Sequence, residues 1–260
     1  MNGNEKTLLP PCSIEVDRTT WPLPPLVAHR GAGFLAPENT LKAFATAAAV
    51  GCLAVEFDVR LTIDGELVLS HDTELGRVIG GCGCIEELTA EELRKLKVRN
   101  LHRPDQSVAN VCFLSEALQA CSSFGLAMNV ELKPVTGSEV ALAERVASFL
   151  RAKELAVPLL VSSFSAECLF EFRKRCPETC CGFLFEEPIG DWSETARRLQ
   201  VQTVHPHKDL VTPELIETAH AHGWGVMAWT VDDVRESAAL KQIGTDAICT
   251  NRPDLLKEIF

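Results

Sequence analysis

The chain has 260 residues, 46% of them hydrophobic and 23% charged, which is the balance of a soluble globular domain with enough length for a sizeable core. Its 36 acidic against 25 basic residues give a net charge of −11, which argues against a broad electrostatic grip on nucleic acid or an anionic membrane but not against a small anionic ligand in a local pocket. No run approaches the roughly 18 apolar residues of a membrane span, and Met1 to Pro11 lack the basic-then-apolar order of a secretory leader.

Residues 1–24 are polar and then proline-rich, with Pro10, Pro11, Pro22 and Pro24 followed at once by Pro25, and read as a lead-in rather than a domain. From residue 25 short apolar runs alternate with helical patterns. Strands are predicted at Leu26–His29, Val55–Val59, Met128–Lys133, Leu159–Phe164, Cys181–Phe185, Thr203–His205, Gly225–Val231 and Asp246–Thr250. Most are rich in Val, Leu, Ile or Phe, as strands buried on both faces are. Between them lie helical stretches. Thr40–Val50 puts Leu41, Phe44 and Ala48 on one face, with Asn39 as its expected N-cap and Gly51 as its stop. Leu114–Ser122, Ser138–Lys153, Ala166–Arg175, Trp192–Leu199, Pro213–His222, Asp233–Gln242 and Leu255–Ile259 follow the same logic. Eight strand–helix units in series predict parallel pairing and an α/β fold of the (β/α)8 TIM-barrel type. The Asp64-Gly65 hairpin signal breaks the alternation, so residues about 64–112 form a small insertion after the second strand, within one barrel domain spanning 25–260.

Chemistry concentrates near strand ends. Glu56 and Asp58 alternate along the second strand and share a face, as do Asn129, Glu131 and Lys133 along the third. Carboxylates so placed inside a barrel suit a hard divalent cation, and Lys133 suits an anion; solvated acids and a strand-end Glu–Lys pair are the plainer alternatives. His29 closes the first strand and His71 the hairpin after the second, both within reach of these carboxylates and both able to exchange protons near neutral pH. His205 and His207 are weaker candidates for lining the same site, whereas His102, His220 and His222 read as surface residues. The eleven cysteines, odd in number and without paired CxxC spacing (Cys82-Gly-Cys84 and Cys180-Cys181 come nearest), read as reduced and mostly buried thiols of a cytoplasmic protein.

In order along the chain stand His29-Arg30-Gly31, Pro37-Glu38-Asn39-Thr40, Glu56-Phe57-Asp58, Asp64-Gly65 and His71-Asp72, then Glu131-Leu132-Lys133-Pro134, Ser162-Ser163-Phe164, Trp229-Thr230-Val231, Thr245-Asp246 and Thr250-Asn251. This series resembles the glycerophosphodiester phosphodiesterase family, most of all its compact cytosolic bacterial members, over residues about 25–255. The resemblance implies a barrel with a small insertion after its second strand. It implies a divalent ion, calcium or magnesium, on Glu56, Asp58 and Glu131, with His29 and His71 as general base and acid. It also implies hydrolysis of small diesters such as glycerophosphocholine or glycerophosphoethanolamine to glycerol 3-phosphate and an alcohol.

Charge agrees with that implication. Three carboxylates, a divalent ion and a singly charged diester leave two negative charges, which Arg30 and Lys133 would offset at the phosphate. Trp229 would wall the glycerol or choline end, or simply pack in the barrel. Glu38 would brace Arg30, Phe34 and Leu35 would form an apolar lip, and Asp72 would orient a histidine, touch the metal or cap its turn. The competing readings are a lysophospholipase D or phospholipase-D-like enzyme, a Schiff-base aldolase built on Lys133, and a non-catalytic phosphoester or metal binder. Partners reduce to a small-molecule diester, with no nucleic acid and no membrane span, and with a homo-oligomer left open.

Overall fold

A computed structural model describes residues 21–105, 108–188 and 190–259. Residues 1–20 of the proline-rich lead-in, and Phe260, lie outside the described residues.

The parallel strands are β1 (Leu26–Ala28), β2 (Ala54–Leu61), β6 (Ala127–Leu132), β7 (Leu159–Ser163), β8 (Cys180–Phe185), β9 (Thr203–Pro206), β10 (Gly225–Ala228) and β11 (Ala247–Thr250). Each pairs with its neighbour in that order, and β1 pairs with both β2 and β11, so the sheet closes into a (β/α)8 barrel. The intervening short strands β3 (Leu67–Leu69), β4 (Lys97–Val98) and β5 (Ala109–Asn110) belong to the excursion after β2. Helices α1 (Leu41–Ala49), α3 (Leu114–Phe124), α4 (Glu139–Arg151), α5 (Ala166–Arg175), α6 (Trp192–Leu199), α7 (Pro213–Ala221), α8 (Val234–Gln242) and the short α9 (Pro253–Leu256) follow the parallel strands; α2 (Ala90–Arg94) lies in the excursion.

Outward-facing strand residues make the main core with the helices: Val55, Phe57 and Val59 of β2, Met128, Val130 and Leu132 of β6, Phe44 of α1 and Phe172 of α5 are all buried there. Phe44 and Phe57 meet edge to face at 5.4 Å. A second cluster mixes small residues, Ala54, Ala127 and Ala247, with the larger Leu160 and Met227, and Leu23 and Trp21 from the lead-in pack with them.

Two local expectations change. The N-cap of α1 is Thr40, whose Oγ1 accepts from the Ala43 N–H at 3.2 Å, and not Asn39, whose side chain is drawn inward to Asp58. Accordingly the buried face of α1 is Ala43, Phe44 and Ala47, while Leu41 is exposed.

The excursion opens as predicted at Asp64-Gly65, with Leu61 opposite Leu67 and β3 antiparallel to β2. It carries a small core of its own, including Val78, Ile79, Ile85, Leu93 and Phe113. The Arg94 guanidinium lies 4.0 Å from the Phe113 ring centre.

Phe44 has no exposed surface and fills the seam between α1 and β2. Phe44→Ala is expected to lower the free energy of unfolding by about 3–5 kcal/mol, read from urea denaturation. A loss below about 1 kcal/mol would contradict this packing.

Candidate active site

The strand ends deliver their polar side chains to one end of the barrel. Glu56 and Asp58 rise from β2, Glu131 from β6, and Lys133 follows directly on β6; Asp58 is in register with Glu131. Oxygens from Glu56, Asp58 and Glu131 all lie within 4.8 Å of one another, and all three residues are buried. This is the cluster expected from the sequence, and its donors are carboxylates alone.

The residues fit a divalent cation. Glu56 Oε1 is buried without a hydrogen-bond partner, an arrangement that an anion tolerates poorly without a nearby cation. Burial, then Asp58 and Glu131, push the Glu56 carboxyl well above the usual carboxylate range. Burial likewise raises Glu131, against the pull of Lys133. Asp58 goes the other way: burial opposes its ionisation, but Lys133 and Arg30 hold its carboxyl well down. A hard cation on oxygen donors would relieve this crowding.

Four contacts hold Asp58. Asn39 donates from Nδ2 to Oδ2 at 2.8 Å, and its Oδ1 accepts the Asp58 N–H at 3.1 Å. Arg30 Nε lies 3.7 Å from Oδ2, and Lys133 Nζ lies 3.4 Å from Oδ1. Lys133 also pairs with Glu131 at 2.7 Å. Burial alone would lower the Lys133 pKa, but Glu131 and Asp58 outweigh it and keep the amine charged, the opposite of what a Schiff-base nucleophile needs. Glu38 braces Arg30 Nη1 at 2.9 Å, as expected. Arg30 itself has φ of 51°, in the left-handed region, with its N–H donating to Glu56 Oε2 at 2.8 Å.

His29 and His71 flank the cluster in different settings. His29 Nδ1 lies 2.7 Å from Asn251 Oδ1. Asn251 donates its own Nδ2 to Asp232 at 3.0 Å, which turns Oδ1 toward His29, so Nδ1 carries the hydrogen and Nε2 presents its lone pair. That Nε2 is 3.9 Å from Glu56 Oε2. Burial, with Arg30, lowers the His29 pKa to about 3. His71 instead has a carboxylate partner, Asp72 Oδ1 at 2.9 Å from Nδ1, and Arg77 in turn grips Asp72 at 2.5 and 3.0 Å. Of the roles left open for Asp72, orienting the histidine is the one its contacts match. Burial lowers the His71 pKa, and Lys133 and Arg30 add to that, against Asp58 and Asp72.

Arg60, next on the inward face of β2, reaches the loop that bears His71. Its guanidinium donates to the carbonyls of Ser70, His71 and Lys133 and to the side chains of Thr73 and Glu86. Side-chain alternation from Asp58 pointed to Arg60, but its partners lie in loops whose positions only the folded chain sets. Asn251 and Asp232 were likewise missed as the support of His29. Gly33 serves the same junction: a side chain there would strike the Asn251 backbone at 2.2 Å, and its φ is 54°.

A cavity of about 420 Å³ opens over the cluster. Its lining includes His29, Arg30, Glu56, His71, Glu131 and Lys133, as well as Trp229. His205 and His207 do not line it. His205 is fully buried inside the barrel with Nε2 at 2.9 Å from Thr203 Oγ1, and His207 stands edge-on to the far ring of Trp229. Phe34 is half-buried and lies against the exposed His102, their ring centres 3.8 Å apart; Leu35 is buried and forms no lip.

A model of the glycerophosphoryl diester phosphodiesterase family matches residues 29–255. A glycerophosphodiester phosphodiesterase of Caldanaerobacter subterraneus subsp. tengcongensis is 28% identical over 231 residues, covering 89% of this chain and 95% of that protein. A probable glycerophosphodiester phosphodiesterase 1 of Mycobacterium tuberculosis is 31% identical over 252 residues, covering 90% of this chain and 91% of that one. Among solved structures, an Oleispira antarctica phosphodiesterase in complex with the product sn-glycerol-3-phosphate superposes with a TM-score of 0.85 at 30% identity, over 91% of this chain and 96% of that chain. A putative glycerophosphoryl diester phosphodiesterase from Silicibacter pomeroyi gives 0.82 at 27% identity, over 91% and 93% of the two chains.

Glu56→Gln, Asp58→Asn and Glu131→Gln are each expected to weaken divalent-cation binding by about 10²–10³-fold in calorimetric titration, because each removes a charge at short range in a poorly hydrated site. Asn39→Ala, which only frees Asp58, should cost about 10–100-fold. Since Glu56 and Glu131 are raised, protons compete with the cation, and affinity should go on climbing as pH rises above the usual carboxylate range. Unchanged affinity in all three carboxylate variants would exclude the cluster as the metal site.

Proposed function

The chain belongs to the glycerophosphoryl diester phosphodiesterase family, and on that premise we propose that it hydrolyses glycerophosphodiesters to glycerol 3-phosphate and an alcohol, with a divalent cation held by Glu56, Asp58 and Glu131. One observation carries the reading: a three-carboxylate cluster and two histidines in contrasting environments line or adjoin a single cavity. All-oxygen donors favour a hard ion, calcium or magnesium. When bound, the cation supplies Lewis-acid polarisation of a phosphoryl oxygen.

The protein's own groups do the rest. Arg30 and Lys133 bind the phosphate and balance its charge as the transition state forms. His29 acts as general base: its Nδ1–H is committed to Asn251, its Nε2 lone pair makes no hydrogen bond, and burial keeps the ring neutral before the attack. His71 acts as general acid. Its bond to the Asp72 carboxylate favours the imidazolium, and a bound diester cancels part of the positive charge of Lys133 and Arg30 that holds its pKa down. His29 takes the proton from the attacking oxygen, and His71 gives one to the departing alkoxide. No helix among the described residues is long and apolar enough to cross a membrane. The proposed setting is the cytoplasm.

The direct experiment is incubation with a panel of glycerophosphodiesters, with and without EDTA, followed by detection of glycerol 3-phosphate. Release that EDTA abolishes and calcium or magnesium restores is the expected result; absence of glycerol 3-phosphate throughout would refute the reading.

His29→Ala and His71→Ala should each keep the fold and lower kcat by about 10²–10⁴-fold on glycerophosphocholine. A nitrophenyl phosphodiester, whose leaving group needs no proton, should rescue His71→Ala far more than His29→Ala. The sign of the pH effect follows from the roles. The acid must be protonated, so kcat falls as pH rises through the His71 pKa in the complex, and this alkaline limb should vanish with the nitrophenyl substrate. Equal rescue of both variants would undo the assignment of roles.

A further inference from the structure

Charge within the cavity is segregated. His29, Arg30 and Lys133 stand on the side of the metal cluster, where a phosphate belongs. The opposite side is built from β8, β10 and the end of β7, and it is apolar and aromatic except for one carboxylate, Glu186. Leu184 and Glu186 share the face directed into the barrel, and both line the cavity. Glu186 is exposed, and among the described residues no hydrogen bond or ion pair engages its carboxylate.

Phe164 and Trp229 line the same cavity, edge to face with ring centres 5.3 Å apart. Trp229 is fixed in orientation: its Nε1 donates to the His205 carbonyl at 2.8 Å, and the His207 ring abuts it at 5.1 Å. Phe164 reaches back toward the phosphate side, its ring centre 5.5 Å from Lys133 Nζ. The Trp229 ring and an unpaired carboxylate attract an ammonium group more strongly than a neutral polyol, whose hydroxyls can only donate hydrogen bonds to the carboxylate, since a ring face binds cations through its quadrupole and a carboxylate adds direct Coulomb attraction; Phe164, whose ring already faces Lys133, walls the space between them. A diester of an amino alcohol has the matching order of charges, negative at phosphorus and positive beyond it.

We propose that Glu186, Phe164 and Trp229 form a subsite for a cationic head group, which makes diesters of choline and ethanolamine the preferred substrates over diesters of neutral alcohols. This rests on the hydrolase reading above and adds the substrate class to it. Glu186 acts in substrate recognition and takes no part in proton transfer. Because it is exposed and unpaired, its replacement leaves the core untouched.

The test is the ratio of kcat/KM for glycerophosphocholine to that for glycerophosphoglycerol, measured at low and high salt. The wild-type ratio should be about ten, falling toward one in E186Q and below one in E186K, with the change carried mainly by KM. Added salt should lower the wild-type ratio and leave that of E186Q nearly constant. Phe164→Leu should also lower it. A wild-type ratio near one, or a ratio unchanged in E186Q, would overturn the subsite while leaving the hydrolase reading intact. Absence of turnover on both diesters would overturn the two together.

Discussion

Three carboxylate oxygens from Glu56, Asp58 and Glu131 are confined within 4.8 Å of one another in residues that are almost fully buried. At such separations each like-charge pair repels by about 4 kcal/mol even in a medium of moderate polarity. Much of the surrounding structure answers that repulsion. Lys133 pairs with two of the carboxylates, Arg30 is bent into a left-handed backbone conformation that brings its side chain to Asp58 and its N–H to Glu56, and Asn39 grips Asp58 from both ends of its amide. The answer is incomplete, because the raised carboxyls of Glu56 and Glu131 still seek positive charge. That residual demand suits the site to a cation and sets it apart from a closed ion-pair network.

Beside the same crowding the two histidines have different supports. Next to a cluster of buried charge, an imidazole is set by what stands behind it. A neutral amide behind His29, oriented by Asp232, fixes the tautomer without favouring a positive ring. A carboxylate behind His71 favours one. Both rings face one cavity, and the contrast in support is what the proposed division into base and acid rests on.

Much of this was legible in the sequence, because period-two alternation is a strong signal in buried strands. All eight parallel strands fall within two or three residues of their expected ends, and the alternation that paired Glu56 with Asp58 and Glu131 with Lys133 is the geometry observed. What the sequence could not carry was contact between distant segments. Asn39 looks like a helix cap because Asn is a good one; only the closeness of α1 to β2 diverts its amide to Asp58 and leaves the cap to Thr40. Asn251, held by Asp232, meets His29 only because the barrel closes β11 against β1. His205 seemed a lining residue from its strand position, but the narrow lower barrel encloses it completely. Glu186 carried no signal at all, since Glu186-Glu187-Pro188 after an apolar strand reads as a solvated strand end.

Arg60 ties the stretch bearing His71 to β2 and to the backbone of Lys133, while the excursion keeps a hydrophobic cluster separate from that of the barrel. Activity therefore has two thermal supports of different size. The barrel core is large and closed on itself; the excursion is small and edged by water. Under the roles proposed above, partial melting of the smaller one would carry off His71 while Glu56, Asp58 and Glu131 stayed in place. On warming, the protein would then pass through a state that keeps its carboxylate cluster yet has lost turnover, and cooling would restore it without refolding the barrel.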